Sequence, residues 1–554
     1  MMRDPRRRPR ELMRLTASLV FLMALASGPA AFAAQPSPPP PGSGTPLVVD
    51  DPTLYGPVLR PYRQAVIEET AGTLSHYAID ATVESATETR PWRVSGTVAM
   101  DFVNAGDEPL DAVYFRLYAN DARYAEGAMQ MRQVTVDGRP AETVLSQADT
   151  VVEVPLPSAL GPGERVAIDY LFRTAVPTAP AQSYGLFSYQ PEGGTLVLAH
   201  WMPSLAGRDA TGEWNLEMPS TFGDVIFSNT ALFEAEIMAP EDLVLVSTGT
   251  AETGAANDGT ILHRIVTGPV RDLTMVLDDD YEVATVEVDG TRVQSFYNPE
   301  HARGGELVLE YGARSLTLYN ELFGPYPYEE MDLVDLTVRN GAAGVEFPQL
   351  MFIGGSYYDQ ERDFPDEPPT VDDPPTFLET IVVHEVAHQW FFGLVGNDQY
   401  DHAFIDEGLA NDMSTDVFYT AAYGPEVGAT ERVRQLEGPY LDRLFGAGDV
   451  IVDQPTDTFP SEGAYVVAVY SKAALGFQAL RSEIGDDAFF AALARYVAEY
   501  RFEVATPEDL LAAFEAESGQ QLDELWRHWF EAAEGTEDYD PEDLDRVPSL
   551  GRVR

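Results

Sequence analysis

The chain of 554 residues is too long for one ordinary core, and its 45% hydrophobic and 11% aromatic content excludes wholesale disorder. With 90 Asp and Glu against 35 Lys and Arg, a formal net charge of −55, its surface repels nucleic acid and anionic lipid, which argues against a DNA- or RNA-binding role. It has no cysteine, so disulfides, thiolate ligands and a lipoprotein anchor are excluded, and any metal must be held by His, Asp or Glu.

At the N-terminus a basic stretch (Arg3, Arg6, Arg7, Arg8, Arg10, Arg14) precedes an apolar run from Leu15 to Ala26, and Ala31-Phe32-Ala33 has the form of a signal-peptidase site. Residues 1–33 therefore read as a secretory signal peptide, placing the protein outside the cytoplasm; the alternative is an uncleaved membrane anchor. Residues 34–46, rich in Pro, Gly and Ser, form a solvated linker. Residues 47–290 read as an all-β sandwich or saddle-shaped domain. Val94, Gly96, Val98, Met100 and Phe102 alternate with polar neighbours, as do Val113, Phe115 and Leu117, and Val166, Ile168, Tyr170 and Phe172. Turn signals such as Asp137-Gly138 and Gly161-Pro162-Gly163 separate these runs.

The pattern changes after Gly290. Helical spacing covers Glu306 to Leu322, a short β section spans Met331 to Ile353, and an acidic, proline-rich loop runs from Asp359 to Pro375. From Thr376 to Glu531 the period is mainly helical, and residues 535–554 form an acidic tail expected to be disordered. Residues 291–534 are thus the second domain.

That domain contains His384-Glu385-Val386-Ala387-His388, an H-E-x-x-H pattern in an apolar helical frame. Residues at i and i+4 share a helix face, so His384 and His388 present two imidazoles to one metal, while Glu385 lies about 100° around, near a water that the metal would activate. Hydrolytic zinc sites take three protein ligands and leave one position open. Glu407, in Asp406-Glu407-Gly408-Leu409-Ala410, is the preferred third ligand, with Asp398, Asp401, His402 and Asp406 as alternatives. The intervening residues leave room for the first helix to end near Gly393 or Gly396 and for a second to return beside it. Asn411 and Ser414 follow Glu407 on one face, where hydrogen bonds to a ligand can originate.

HEVAHQW, the eighteen-residue gap and DEGLA resemble the aminopeptidase N family of gluzincin metallopeptidases, which also includes leukotriene hydrolase. Phe323 to Tyr328 (FGPYPY) is similar to the family's block before its substrate strand, Ala343 to Pro348 (AGVEFP) to its G-x-M-E-N motif, and Tyr470 to Ala474 (YSKAA) to its Y-x-K-G-A block. The resemblance covers about Tyr77 to Glu531. It implies a thermolysin-like α+β zinc peptidase domain behind the β domain, one Zn2+ per chain on His384, His388 and Glu407, and Glu385 as general base. It further implies Tyr470 as oxyanion donor, Glu346 as the acceptor of a substrate's free α-amine, and Gly344 beside it in substrate binding. Peptides with a free N-terminus are the expected partners, with no nucleic acid and no obligatory protein partner.

Val345, Phe347, Ala473 and Ser414 depart from the family pattern, and the family's further β module and large C-terminal helical domain are expected to be missing. The rival readings are a zinc endopeptidase or other gluzincin hydrolase without a free-amine requirement, and an inactive secreted binding protein. The acidic loop 359–375 reads first as a solvated run, with electrostatic focusing of basic peptides as the alternative, and the acidic surface resembles that of salt-adapted proteins. Lys472 is the only lysine in the chain and carries no catalytic assignment.

Overall fold

The structure, a computed structural model, describes residues 51–124, 128–179, 184–217, 220, 222–223, 227–358 and 368–547. The signal peptide and linker read over residues 1–46 lie outside the described residues, as do 359–367 of the acidic loop and 548–554 of the tail.

The alternating runs become strands. Arg93–Val103 buries Val94, Val98, Met100 and Phe102, and Arg165–Ala175 buries Val166, Ile168, Tyr170 and Phe172 beside it. They belong to an eight-stranded sheet in which Ser75–Glu84 pairs antiparallel with Arg93–Val103 and parallel with Ala231–Pro240. Gly96 is needed there for close approach: a Cβ would stand 2.1 Å from the Asp80 carbonyl oxygen. Two four-stranded sheets complete the β-rich region, one centred on Leu110–Arg116 and Val151–Leu160, the other on Thr195–Leu198 and Met275–Asp278. The β-rich region expected here also contains a helix, Arg60–Thr70. That helix buries only Val66 and Thr70 and so lacks an apolar stripe that periodicity could detect.

The β-rich region is followed by a largely helical domain built on a five-stranded sheet, in the order Glu282–Val288, Thr291–Tyr297, Glu330–Leu336, Leu350–Gly354, Gly344–Phe347. The three central strands run parallel, and Gly344–Phe347 is an antiparallel edge. The boundary expected at 290/291 falls on the turn of the hairpin that joins Glu282–Val288 to Thr291–Tyr297, so the strand before it already belongs to this sheet. Asp289 and Gly290 both have positive φ, the geometry of a tight hairpin turn. The crossover helix, Ala302–Phe323, begins earlier than its sequence suggests. Gly304 and Gly305 conceal its first turn, and both are there for packing: a Cβ on Gly305 would meet the Tyr297 ring at 2.0 Å.

Behind the sheet lie Phe377–Ala387, capped at its start by the Thr376 side chain, and Phe404–Asp412, which runs through a π-helical turn at Met413–Val417 into Phe418–Tyr423. Residues 535–547 differ from the disordered tail expected of them. They carry two short 3-10 turns, Gly535–Glu537 and Pro541–Arg546, and Tyr539, Leu544 and Val547 pack on the core.

Candidate metal centre and active site

His384 lies in the last turn of Phe377–Ala387 and His388 is its C-cap residue, so the helix stops at the second histidine, sooner than the glycines at 393 and 396 suggested. A tight turn follows, in which Phe392 takes a φ of 113°. The wholly buried Arg271 guanidinium holds this turn, donating to the carbonyls of Phe392 (2.7 Å), Leu394 (3.3 Å), Ser228 (3.1 Å) and Glu503. Gly396 makes room for it, since a Cβ would lie 2.3 Å from Arg271 Cζ. The turn in turn orients His388: its Nδ1 is 3.1 Å from the Phe391 carbonyl oxygen, which directs Nε2 toward His384 and Glu407.

Three donor atoms then converge. Glu407 Oε2 lies 3.1 Å from His384 Nε2 and 3.4 Å from His388 Nε2, and the two Nε2 atoms are 3.1 Å apart. A tetrahedral ion with bonds of about 2.0–2.1 Å separates its ligands by roughly 3.3 Å, so the triangle has the edge lengths such an ion needs. The electrostatics agree. Burial opposes charge on His388, yet the carboxylates of Glu346, Glu407 and Asp406 push it up to about 10, which marks a place where positive charge is strongly favoured. Burial would raise Glu407, but hydrogen bonds and charge from His388 and His384 hold it well below the usual carboxylate range. Burial keeps His384 below its ordinary value despite Glu407.

The alternative ligands have other tasks. Asp406 faces Asn397 (3.1 Å) and Gln399 (2.8 Å), Asp398 accepts from the amides of Tyr400 and Asp401, and His402 pairs with Asp453 at 2.6 Å. Asn411 and Ser414 do not bond a ligand as expected. Asn411 Nδ2 donates to the Tyr470 carbonyl at 2.8 Å, and Ser414 Oγ, within the π turn, donates to the Asn411 carbonyl.

Tyr470 sits within another π-helical turn, Val467–Lys472, donates its hydroxyl to Glu407 Oε1, and stacks on His384 with ring centroids 6.0 Å apart. Glu385 lies in the same cavity, of about 290 Å3, which Gly344, Glu346 and Gln435 also line. A Cβ on Gly344 would meet Glu385 Oε1 at 2.3 Å, so the glycine leaves room for that carboxylate. Along the edge strand, Val345 and Phe347 pack in an apolar cluster with Phe352, and Gly344, Val345 and Glu346 line the cavity.

Two contacts escaped sequence reading. Gln389 donates to the Phe347 carbonyl at 3.1 Å and accepts from the Gln349 amide at 2.8 Å, which locks the edge strand to the histidine turn. Gln399 Nε2 reaches both Asp406 Oδ2 and, at 3.4 Å, Glu346 Oε1. Nothing in the spacing distinguishes these glutamines; only the meeting of strand and turn gives them partners.

Residues 307–529 match the peptidase family M1 domain. The chain carries a peptidase family M1 domain. The likeness to the aminopeptidase N family read from the sequence blocks is borne out by it. Aminopeptidase M1 of Arabidopsis thaliana is 28% identical over 307 residues, 54% of this chain and 34% of that protein. Aminopeptidase N of Acetobacter pasteurianus is 28% identical over 188 residues, 33% of this chain and 51% of that protein. The chain spans about a third of the length of the plant relative. The M1 zinc metallopeptidase of Deinococcus radiodurans has the same fold, with a TM-score of 0.60 at 20% identity, covering 83% of this chain and 93% of that one. A mutant of that enzyme is known with a Tyr-Ser-Ala substrate, at a TM-score of 0.58 and 19% identity, covering 82% of this chain and 93% of that one. The β-rich domain followed by the M1 domain has the same order as in those two-domain structures.

Proposed function

We propose that the protein is a zinc-dependent aminopeptidase that hydrolyses the first peptide bond of peptides with a free N-terminus. The observation that carries this reading is the convergence of His384, His388 and Glu407 at tetrahedral edge lengths, in one cavity with Glu385, Tyr470 and Glu346. The donor set, two neutral imidazole nitrogens and one carboxylate, fits zinc, and the M1 family membership of the domain supports the same ion. Zinc held there supplies Lewis-acid polarisation of the scissile carbonyl and acidifies a water.

The remaining work falls to side chains of this chain. Glu385 accepts the proton of the attacking water and delivers it to the leaving amine. Tyr470, its hydroxyl already directed at the centre, donates a hydrogen bond to the oxygen that becomes anionic. Glu346 pairs with the substrate's α-ammonium and sets the register, so that only the first peptide bond reaches Glu385; the backbone at Gly344 runs beside that residue. Gln399 donates to Glu346, and Gln389 donates to the carbonyl of the next residue, Phe347.

Residues 1–33 act as a cleaved secretory signal in this reading, which rests on their basic-then-apolar sequence. Among the described residues no helix is long and apolar enough to cross a membrane. The mature N-terminus of exported protein, read by Edman sequencing, tests that part.

The deciding assay is a panel of aminoacyl-4-nitroanilides and their N-acetyl counterparts, with and without chelator. Chelator-sensitive turnover of the free-amine substrates alone supports the aminopeptidase. Turnover of the acetylated series establishes an endopeptidase instead, and zinc binding without turnover of either series establishes a binding protein.

A further inference from the structure

The active-site cavity is lined by four carboxylates, Glu346, Glu385, Glu407 and Glu462, and by no Lys or Arg among the described residues. Three of the four have tasks in an aminopeptidase, and the role assigned to the fourth rests on that proposed activity. Glu407 belongs to the metal centre, Glu385 serves the water, and Glu346 serves the α-amine. Glu462 has none. It is exposed to the cavity and makes no hydrogen bond or ion pair with any described residue.

Its surroundings are specific. Glu462 opens the helix Glu462–Val466, one turn before Tyr465, and both line the cavity. Tyr465 is a fixed wall rather than a mobile lid. It is buried, with Phe222 at 5.3 Å, Phe459 at 5.5 Å and Tyr470 at 6.1 Å between ring centroids. Phe222 and Tyr184 also face the cavity. Opposite, the loop at Gly341 passes close to the Glu462 carboxylate: a Cβ on Gly341 would stand 3.5 Å from Glu462 Oε1.

Aromatic faces beside an unpaired carboxylate form the complement of an alkyl chain that ends in a cation. The methylenes pack on the rings, the cation meets their negative faces, and the carboxylate supplies a charge-assisted hydrogen bond. A second negative charge in the cavity repels an acidic side chain and gives nothing to an apolar one. We propose that Glu462 is a specificity-determining residue that selects peptides whose N-terminal residue is Arg or Lys, binding the side-chain cation while Glu346 binds the α-ammonium.

The test compares kcat/KM of the zinc-loaded full chain for arginyl- and norleucyl-4-nitroanilide, which differ in the terminal cation on a similar alkyl chain, in the parent and in Glu462→Gln. The expected parent preference for arginine is roughly tenfold, it sits mainly in KM, and it falls to near unity in Glu462→Gln. Glu462→Arg is expected to invert the ranking, placing glutamyl-4-nitroanilide above arginyl. Because each value is a ratio within one protein, partial unfolding of a variant cancels. A parent ratio near unity, or a ratio that Glu462→Gln leaves unmoved, overturns the proposal while leaving aminopeptidase activity standing. If no free-amine substrate is turned over, the aminopeptidase reading falls. Calorimetric binding of arginine amide and norleucine amide to the zinc-loaded protein then decides the point: tighter arginine amide binding that disappears in Glu462→Gln upholds it, and equal binding overturns it.

Discussion

At the scale of single residues, the site separates groups that hold the centre from groups that act in it. Glu385 lines the cavity but is not one of the three convergent donors. Glu385→Gln is therefore expected to lower kcat by roughly 10²- to 10⁴-fold while zinc, measured by atomic absorption, stays at one per chain. Tyr470→Phe keeps the ring against His384 and removes only the hydroxyl, so kcat is expected to fall about 10²-fold with little change in KM, read from steady-state kinetics. Lys472 is explained by packing. Its buried ammonium donates to Asp449 Oδ2 (3.1 Å) and to the carbonyls of Val450 (2.9 Å) and Ala532 (2.8 Å). Three acceptors around one nitrogen match a compact ammonium and not a planar guanidinium, which accounts for a lysine in a chain that otherwise uses arginine. Lys472→Arg is expected to cost about 3 kcal/mol in urea unfolding, by breaking the buried pair with Asp449.

At the scale of elements, the decisive piece is the turn after His388. The strained Phe392 backbone is held by Arg271, which is contributed by the chain just after the strand Thr260–Val270, far from the histidines in sequence. The β-rich region thereby sets the orientation of His388, a proposed metal ligand, through the Phe391 carbonyl. Arg271→Met is expected to weaken zinc binding tenfold or more, measured by competition with a chelator, because an outer hydrogen bond to a ligand is lost. Loss of zinc affinity no greater than threefold would show that the turn holds its shape unaided. Other side chains lie in π turns. One, Met413–Val417, contains Ser414, whose hydroxyl bonds the Asn411 carbonyl, and one, Val467–Lys472, contains Tyr470.

At the scale of the whole molecule, charge dominates. A net charge of −55 makes the folded state repel itself, so the melting temperature is expected to rise between low and molar salt as screening grows. The interior adds a pH dependence of its own. Burial raises Asp332, Glu379 and Asp412 to about 7 each, only partly offset by Gln294, Tyr423 and Gln478. Each binds its proton more tightly folded than unfolded. The stability this gives is full below about pH 4 and is lost as the pH rises through about 7. In the metal-free protein, Asp412→Asn removes one such group, so its stability relative to the parent is expected to improve by about 2 kcal/mol from pH 5 to pH 8, read from urea midpoints. No change in that difference would place Asp412 in contact with solvent.

Local information was enough for much of this. Period-2 alternation marked the strands at 93–103 and 165–175, since one face of each is buried. The i, i+4 spacing marked His384 and His388, because helix geometry alone places such pairs on one side, and Glu407 was the preferred third member among several acids after the turn. The helix at 60–70, the early start of the helix at Ala302 and the hairpin across Gly290 were hidden. Their patterns are set by neighbours distant in sequence: the Tyr297 ring against Gly305, or a sheet that claims the strand before an apparent boundary. Residue types and spacing thus determined by themselves the histidine pair and Glu385, while Glu346 and Tyr470 were legible only through the resemblance to a family. Only the tertiary structure decided what holds them (Arg271, Gln389 and Gln399) and which carboxylate is left without a task. A hydrogen bond between residues separated by a hundred positions leaves no trace in the spacing of either one.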